Sequence, residues 1–325
     1  MDALTALLDN PRARGAFMLR IVLDPPWSIR VQDRSALSLV AMVSGGGWVV
    51  PQDGAPARVG PGDVAVVRGA DPYLLADDPA TAPQVLVHPG QRCATPDGRD
   101  LRAEMTLGTR AWGTAPGGSM SLLLGVYEEV GAVGQRLLNA LPPVLVVTRD
   151  RWDPTLVTLL GREMTAQAPG QDVLLDRLLD LLLVCVLRVW LDQPEAKAPA
   201  WYRALGDPLV GRALRLLHDD PARSWTVAAL AAETGSARAT LARTFTELVG
   251  SAPMTYLRDW RLALAADLLR EPSATVDSVA RRVGYSNGFA LSTAFKRTRG
   301  VSPRAHRPDA PGTDRAPQRA AVTTP

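Results

Sequence analysis

The side chains best able to do chemistry in this chain are basic, and they are concentrated in residues 201–310. This segment has 16 Lys and Arg against 10 Asp and Glu, a net charge of +6, whereas residues 1–200 have 18 against 22, a net charge of −4. Guanidinium and ammonium groups bind phosphates and other anions through charge-assisted hydrogen bonds. The basic segment is therefore the candidate for a polyanionic partner, and the acidic segment is not.

The histidines and cysteines give little support to metal or redox chemistry. The three histidines, His88, His218 and His306, are far apart in the sequence, whereas a metal site usually needs two or three convergent imidazoles or a set of carboxylates. We therefore expect no metal, no other cofactor and no catalytic residue. Cys185 lies in an apolar helical pattern and is expected to be inert, while Cys93 leaves a redox-sensing role open.

The composition favours a cytoplasmic protein. Two cysteines are too few for a disulfide framework, which favours a reducing compartment over secretion. The start of the chain lacks the basic residues and apolar core of a signal peptide. The longest apolar stretch, from Leu178 to Leu191, is interrupted by Asp180 and Arg188 and falls short of the roughly 20 residues that a membrane span needs. We therefore expect no membrane partner.

A helical pattern occurs twice between Trp225 and Arg307. Five residues recur fifty positions later, in the pairs Leu241 and Leu291, Phe245 and Phe295, Gly250 and Gly300, Pro253 and Pro303, and Tyr256 and His306. Two more recur at forty-nine positions, Ala231 as Ala280 and Gly235 as Gly284. A small residue where two helices cross, a glycine for the turn and a buried face predict a helix-turn-helix in each copy. The second helix of such a unit can enter a DNA major groove, which is about 12 Å wide.

The helices of these units can be placed from their buried faces. In the first unit we predict helices over 227–233 and 237–248, and between the units a helix over 254–270. The last of these ends at Pro272, because proline cannot continue a helix. At about 1.5 Å per residue it would be about 25 Å long. Such a helix is a rigid spacer, able to hold two recognition helices about one DNA turn, roughly 34 Å, apart.

Short apolar runs, separated by Gly, Pro and Asp, fill the segment from Phe17 to Tyr127. The runs are FMLRIVL at 17–23, WSIRV at 27–31, ALSLVAMV at 36–43, WVV at 48–50, DVAVV at 63–67, YLLA at 73–76, VLV at 85–87 and SLLLGVY at 121–127. This spacing is typical of an antiparallel β-sandwich or barrel. The predicted fold class is therefore α+β and multidomain, with an N-terminal antiparallel β-barrel accompanied by helices and a C-terminal all-α domain containing two helix-turn-helix units.

After the predicted barrel the apolar residues change to a helical period. Two helices are predicted, over 156–168 and 173–191. The second is apolar on nearly every face between Leu178 and Trp190, so it must be buried on several sides, either against the barrel or against a second subunit. The short segment DQPEAKAPA that follows is rich in Pro and Ala and is predicted to be an interdomain linker.

Several short motifs stand in the C-terminal segment. They are LAAETG at 230–235, GSAPMTYL at 250–257, WRLALAADLL at 260–269, VARRVGYSN at 279–287, AFKR at 294–297 and GVSP at 300–303. With Leu241, Arg243 and Phe245 they resemble the DNA-binding domain of the AraC/XylS family of bacterial transcription regulators. The resemblance covers about a third of the chain.

The N-terminal segment is similar to the cupin-type sensing domain that is often fused to this module. GPGDVAVV at 60–67 resembles the Pro-Gly-Asp turn of cupin barrels, which leads into a strand and often a metal-binding His. GADPYLL stands at the expected position here, with Asp71, Pro72 and Tyr73 and no His, so a metal-free barrel is favoured. The resemblance implies a cupin-like sensor and dimerisation domain over 1–191 and an AraC-type DNA-binding domain over 206–307. Composition places a linker between them over 192–205 and a disordered, low-complexity tail over 308–325.

The family implies base contacts from the exposed residues of each second helix. In the first unit the corresponding positions are Ala239, Ala242 and Arg243, with Arg238 and Thr240 nearer the phosphates. In the second unit they are Asn287, Gly288, Ser292 and Thr293, with Lys296 and Arg297 nearer the phosphates. Arg243 is the best single candidate, because a guanidinium group can bond O6 and N7 of guanine together.

Three residues depart from the family pattern. Thr293 stands where Arg is usual, so the second unit is expected to read sequence weakly and to contribute mainly phosphate contacts. Ala237 occupies the usual helix-capping Ser position, with Ser236 able to cap one residue earlier. His306 replaces a usual Tyr, which we interpret as a change in packing.

Together these features predict a sequence-specific DNA-binding transcription regulator and not an enzyme. Its partners would be double-stranded promoter or operator DNA and a small-molecule effector bound by the N-terminal barrel. Contact with RNA polymerase and a homodimer are left open, as are the effector's identity, the operator sequence and the sign of regulation. Two alternatives remain at this point: a cupin-type enzyme with a DNA-binding appendage, and a non-specific architectural DNA binder.

Overall fold

The computed structural model describes residues 17–307 except 115, 129, 167 and 194–197, and these residues divide into two units. Described residues up to 199 belong to the first unit, and residues from 200 onward belong to the second. The predicted tail over 308–325 lies outside the described residues.

The first unit is built on two β-sheets. Its described strands are β1 (Phe17–Leu23), β2 (Ser28–Val31), β3 (Leu37–Ser44), β4 (Gly47–Pro51), β5 (Ala57–Val59), β6 (Val64–Arg68), β7 (Tyr73–Ala76), β8 (Val85–His88), β9 (Arg92–Ala94), β10 (Thr106–Gly108), β11 (Ala111–Gly113), β12 (Met120–Tyr127) and β13 (Val144–Val147). Seven strands form one sheet in the order β10-β11-β1-β12-β3-β6-β13, and six form the other in the order β5-β4-β7-β2-β8-β9.

The predicted β-rich N-terminal domain is confirmed, with one difference in strand direction. Neighbouring strands are antiparallel except for β1 with β11 and β2 with β8, which are parallel. Parallel neighbours need a crossover connection instead of a hairpin, and both pairs join strands that are far apart in the sequence. Local turn signals therefore did not reveal them.

All eight apolar runs form strands, and five further strands were not predicted. Four of these, β5, β9, β10 and β11, are only three residues long, which is too short for an alternating pattern to be recognised. The fifth, β13, has the sequence VLVV and pairs with β6 at the edge of the larger sheet.

The core of the first unit lies between the two sheets. Ile21, Met42 and Leu122 from the larger sheet meet Ile29 and Leu75 from the smaller one, and all are nearly inaccessible to solvent. Every residue of β12 is buried, because helices cover the other side of that sheet. This two-sided burial explains why β12 is an unbroken apolar run instead of an alternating one.

Four helices accompany the sheets: α1 (Arg102–Met105), α2 (Ala132–Leu138), α3 (Thr155–Glu163) and α4 (Gln171–Leu191). Helix α4 confirms the predicted 173–191 helix. It packs on β12, where Leu179 occupies the space that a side chain at Gly125 would fill, since a Cβ there would lie 2.4 Å from Leu179 Cδ1. Burial against the barrel is thus one of the two expected reasons for its apolar faces.

Helix α3 is shorter than the predicted 156–168. It ends at Glu163, and the side chain of Gln171 turns back and donates hydrogen bonds to the carbonyl oxygens of Glu163 and Ala166, both at 2.5 Å. Among the described residues, no helix is both long and apolar enough to span a bilayer.

The second unit consists of helices in its described part. They are α5 (Ala200–Arg203), α6 (Pro208–Asp219), α7 (Val227–Thr234), α8 (Arg238–Val249), α9 (Pro253–Leu268), α10 (Val276–Arg282), α11 (Gly288–Arg299) and α12 (Pro303–His306). The predicted helices over 227–233, 237–248 and 254–270 correspond to α7, α8 and α9 within two residues at each end. The all-α double helix-turn-helix architecture is confirmed.

The segment predicted as a linker, 192–205, already contains structure of the second unit. Residues 194–197 are outside the described part, but Ala200–Arg203 forms α5 and residues 204–206 add a 3₁₀ turn. Trp201 and Ala204 are buried, so apolar contacts hold this segment against the second unit. Only the polar residues before Ala200 therefore keep the composition of a linker without becoming part of this helix.

Each helix-turn-helix turn contains one glycine with a left-handed backbone. Gly235 has φ +68° and Gly284 has φ +82°. The residue after each glycine donates its N–H to the carbonyl oxygen of the small residue in the preceding helix. Ser236 donates to Ala231 at 2.9 Å, and Tyr285 donates to Ala280 at 2.8 Å. The two sites differ in space: a Cβ on Gly235 would meet nothing within 4 Å, whereas one on Gly284 would lie 2.7 Å from the carbonyl oxygen of Ala222.

This difference predicts unequal costs for the same substitution. Gly235→Ala should lower the free energy of unfolding by about 1 kcal/mol, the cost of a left-handed alanine. Gly284→Ala should lower it by about 1 to 3 kcal/mol more, because the neighbouring backbone must shift. Urea unfolding of both variants, followed by circular dichroism of the helices, measures the difference. Equal losses would show that the second turn has room that the structure does not give it.

Candidate nucleic-acid interface

The first recognition helix, α8, turns one face inward and presents the other to solvent. Leu241 and Phe245 are completely buried, whereas Arg238, Ala239, Thr240 and Arg243 are exposed and Ala242 is half-buried. The five residues that the family resemblance assigns to DNA in this unit therefore share the accessible part of α8.

The start of α8 carries no side-chain cap. Ala237 is the N-cap residue, and its methyl side chain has no atom that could accept a hydrogen bond. The expected substitute, Ser236, does not act as a cap either, since its hydroxyl lies 3.2 Å from Thr234 Oγ1. The first-turn N–H groups of α8 are thus left to solvent or to an anion, in the positive field of the helix terminus.

Arg243 is held by a neighbour on its own helix. Its guanidinium Nη1 lies 3.1 and 3.2 Å from the two carboxylate oxygens of Glu247, one turn further along. The side chains are 66% and 56% exposed, and an exposed pair at this spacing stabilises a helix by only about 0.3 to 0.5 kcal/mol. The pair therefore orients the guanidinium of Arg243 only weakly and leaves most of this side chain accessible.

The second recognition helix, α11, repeats this arrangement with different surface residues. Leu291 and Phe295 are completely buried, like their partners fifty positions earlier. Thr293, Lys296 and Arg297 are exposed, and Ser292 is half-buried. Lys296, Arg297 and Arg299 make the last turn basic, which favours contact with phosphates.

Two of the predicted base-contacting residues at the start of α11 have structural tasks. Asn287 is the N-cap residue, and its Oδ1 accepts a hydrogen bond from the N–H of Ala290 at 2.9 Å. Gly288 is buried, its N–H donates to Asp277 Oδ1 at 2.7 Å, and a Cβ there would collide with that carboxylate. Gly288 therefore fixes the start of α11 against α10 through its backbone, and its expected contact with DNA stays a prediction.

Sequence reasoning missed the residue that is exposed at this place. Phe289 is 83% exposed and follows Gly288 in the first turn of α11. The signal was available, because Phe289 stands fifty positions after Ala239, which was assigned to a base contact. The positions that the family resemblance gives for the second helix-turn-helix do not include it.

Helix α9 and its neighbours position both recognition helices. The ring of Phe245 contacts Tyr256 of α9 edge-on, with centroids 5.8 Å apart, and Phe295 contacts His306 of α12 in the same way at 5.3 Å. His306 thus takes the place of Tyr256 in the repeat, as expected for a packing change. Burial and then Arg299 lower the pKa of His306.

Polar contacts fix α9 at its other side. His218 Nε2 lies 2.8 Å from the hydroxyl of Tyr256 in a buried site. Arg261 donates hydrogen bonds to the carbonyl oxygens of Pro221 at 2.6 Å and Arg223 at 2.8 Å. This arginine therefore supports the loop before α7. With 16 residues, α9 is about 24 Å long.

A small cavity and two open clefts are found among the described residues of the barrel. The internal cavity beside Cys93, Trp112 and Leu124 has a volume of about 20 Å³, room for about one water. One cleft, lined by Trp27 and Arg99 among others, measures about 240 Å³. The other, lined by residues including Arg20 and Arg110, measures about 560 Å³.

The residues considered for metal and redox chemistry have other surroundings. His88 Nδ1 lies 3.3 Å from the side-chain amide of Gln32. Within the described residues, no group of three or more His, Cys, Asp or Glu is arranged to hold a metal ion. Burial, with a smaller contribution from Asp100, raises the pKa of Cys93 to about 11, and a thiol reacts as its thiolate.

Comparison with known proteins gives two family matches and several relatives. Residues 2–192 match a family described as cupin, and residues 230–308 match a family described as a helix-turn-helix domain. A putative AraC-like transcription regulator from Streptomyces lividans is 33% identical over 313 residues, covering 94% of this chain and 98% of the relative. A second, from Streptomyces antibioticus, is 31% identical over 312 residues with the same coverage.

A solved structure is also similar. It is the crystal structure of the DNA-binding domain of AdpA, the global transcriptional factor, in complex with a target DNA. The match is 33% identical, covers 30% of this chain and 89% of that chain, and has a TM-score of 0.30.

The raised pKa of Cys93 predicts slow alkylation. A shift from 9.0 to about 11 leaves about 100-fold less thiolate at neutral pH, and the rate should rise as the pH approaches that value. Iodoacetamide labelling of a Cys185→Ser variant at pH 7.5, followed by mass spectrometry, measures the Cys93 rate. The same variant unfolded in urea is the control. Equal rates in the folded and unfolded protein would contradict the buried environment.

Proposed function

Because the chain belongs to the AraC/XylS family of transcription regulators, we propose that its two recognition helices read successive DNA major grooves. Ala239, Ala242 and Arg243 contact bases in one groove, and Asn287, Ser292 and Thr293 contribute in the next. The observation that carries this proposal is the outward face of α8, where Arg243 stands exposed opposite the buried Leu241 and Phe245.

Phosphate contacts fix the protein on the duplex. Arg238 and Thr240 lie in the first turn of α8, where uncapped N–H groups add to the positive field. Lys296 and Arg297 supply the positive charge in the second helix-turn-helix. Such contacts carry no sequence information, but they should make the affinity fall steeply as salt increases.

The N-terminal domain, with its two β-sheets, is proposed to sense a small molecule. The internal cavity described in it has a volume of only about 20 Å³, so an effector would enter one of the open clefts. The cleft of about 560 Å³ beside Arg20 and Arg110 is within the range of small-molecule sites. Effector binding there would change the affinity for DNA by stabilising one arrangement of the chain over another.

A homodimer is proposed to form through helix α4. Val173, Leu174 and Leu181 are 64%, 44% and 49% exposed on this helix, and apolar surface of this kind is favourably covered by a partner. Contact with RNA polymerase and residence in the cytoplasm stay predictions.

We propose that the barrel has no catalytic activity. The donor set supports this, because His88 bonds to Gln32 and the other two histidines pack in the second unit beside Tyr256 and Phe295. The relatives are described as transcription regulators.

Selection of bound sequences from random double-stranded DNA by the full-length protein tests the function directly. The expected result is one preferred sequence with two blocks of specified bases about one helical turn apart, near 10 base pairs. Gel shifts with that sequence and with random competitor then give the specificity ratio. Recovery of unrelated sequences, with no preference over competitor, would indicate an architectural DNA binder.

Two substitutions separate base reading from phosphate binding. Arg243→Ala should remove discrimination at one base pair, worth about 1 to 3 kcal/mol. Arg238→Ala should instead weaken binding to all sequences and reduce the salt slope by about 1. Arg215→Ala is the matched control, since Arg215 is an exposed arginine of α6 outside both recognition helices. If Arg243→Ala weakens all sequences equally, Arg243 is only a phosphate contact.

A further inference from the structure

The most exposed large apolar side chain among the described residues lies on a recognition helix. Phe289 is 83% exposed, ahead of Val173 at 64% and Leu181 at 49%. It occupies the second position of α11, between the buried Gly288 and the half-buried Ala290. Leaving an aromatic ring in water forgoes the stabilisation that burial would give, so the fold itself gains nothing from a Phe here.

The position of Phe289 is a position for reading bases. The N-terminal residues of a recognition helix contact base edges in the major groove. Phe289 shares its helix face with Thr293 and Lys296, at spacings of four and three residues. The flanking charge of Lys296 and Arg297 complements a polyanion, which favours DNA over an apolar protein as the partner of this face.

The repeat gives a direct comparison between the two helices. Ala239 occupies the place of Phe289 in α8, and Arg243 occupies the place of Thr293. In α8 the large reading side chain is in the second turn, whereas in α11 it is in the first. In the second helix-turn-helix the large exposed side chain therefore lies about one turn nearer the helix start than in the first.

The chemistry of the ring limits what it can recognise. A phenyl group neither donates nor accepts a hydrogen bond, so the polar edges of guanine, cytosine and adenine offer it nothing specific. The C5 methyl group of thymine is the apolar feature of the major groove, and apolar side chains contact it. The methyl group of Thr293, one turn away, can make a second contact of the same kind.

We propose that Phe289 packs against a thymine methyl group in the second groove and so specifies thymine at that place, with Thr293 beside it. This inference rests on the proposed function, in which α11 enters a major groove. It replaces the expectation that the second helix-turn-helix contributes mainly phosphate contacts. It also assigns different chemistry to the two units, hydrogen bonding to guanine by Arg243 and apolar contact with thymine by Phe289.

Removing single methyl groups from the DNA tests the proposal. In the sequence recovered by selection, each thymine of the second block is replaced in turn by deoxyuridine, which keeps the base pair and lacks only the methyl group. The full-length protein should lose about fourfold in affinity at one position, the loss expected when one buried methyl group is removed. Fluorescence anisotropy with labelled duplexes measures each affinity.

Variants of Phe289, measured on the thymine and deoxyuridine duplexes, complete a double-mutant cycle between the side chain and the methyl group. Phe289→Ala should bind the thymine duplex more weakly and show no further loss with deoxyuridine. Phe289→Leu keeps an apolar side chain and should retain part of the difference between the two duplexes. Val301→Ala is the control, because Val301 is a 43% exposed apolar residue of the same unit outside the recognition helices. It should discriminate like the unaltered protein.

The outcomes separate the two claims. Selection without any preferred sequence would overturn the proposed function. A preferred sequence that lacks a methyl-sensitive thymine in its second block, or a sensitivity that persists in Phe289→Ala, would overturn the assignment of Phe289 alone. The same conclusion holds if Phe289→Ala leaves DNA affinity unchanged but alters self-association, since a second copy of the chain would then cover the ring.

Discussion

The burial of one phenylalanine in each recognition helix is the constraint on which the DNA-facing surface depends. Phe245 and Phe295 are fully buried and each contacts an aromatic ring of a following helix. With Leu241 or Leu291 one turn earlier, each ring fixes the rotation of its helix about its own axis. Only a helix held in this way presents a defined set of side chains outward, so surface residues can change while the geometry is kept.

Much of the C-terminal helical domain could be predicted because its sequence signals are local and occur twice. The buried spacing of Leu241 and Phe245, the glycine turns and the proline after the spacer helix each act within a few residues, and the second copy supplies an independent check. The first unit was predicted as a class of fold but not in its pairings. Its parallel neighbours, β1 with β11 and β2 with β8, bring together strands that no local pattern connects.

Two of the expected site residues also have structural contacts that a family pattern does not reveal. The N–H of Gly288 donates to Asp277 and the Oδ1 of Asn287 accepts as a helix cap, while the contact of either residue with DNA stays a prediction. Phe289 does not share the spacing of the core residues Leu291 and Phe295, and it is absent from the positions that the family pattern supplies. Periodicity identifies the inward face, yet it says little about an apolar residue that breaks the period, and such residues deserve a functional explanation.

The unlike first turns of α8 and α11 have a consequence for the geometry of regulation. Arg238 and Ala239 in one copy stand against Gly288 and Phe289 in the other, so the two reading heads are not interchangeable. One chain bound through both helices, as proposed, would have a head and a tail, and its site would need no internal symmetry. Such a chain would point along the duplex in one direction, which would let a single copy distinguish the upstream side of a promoter from the downstream side.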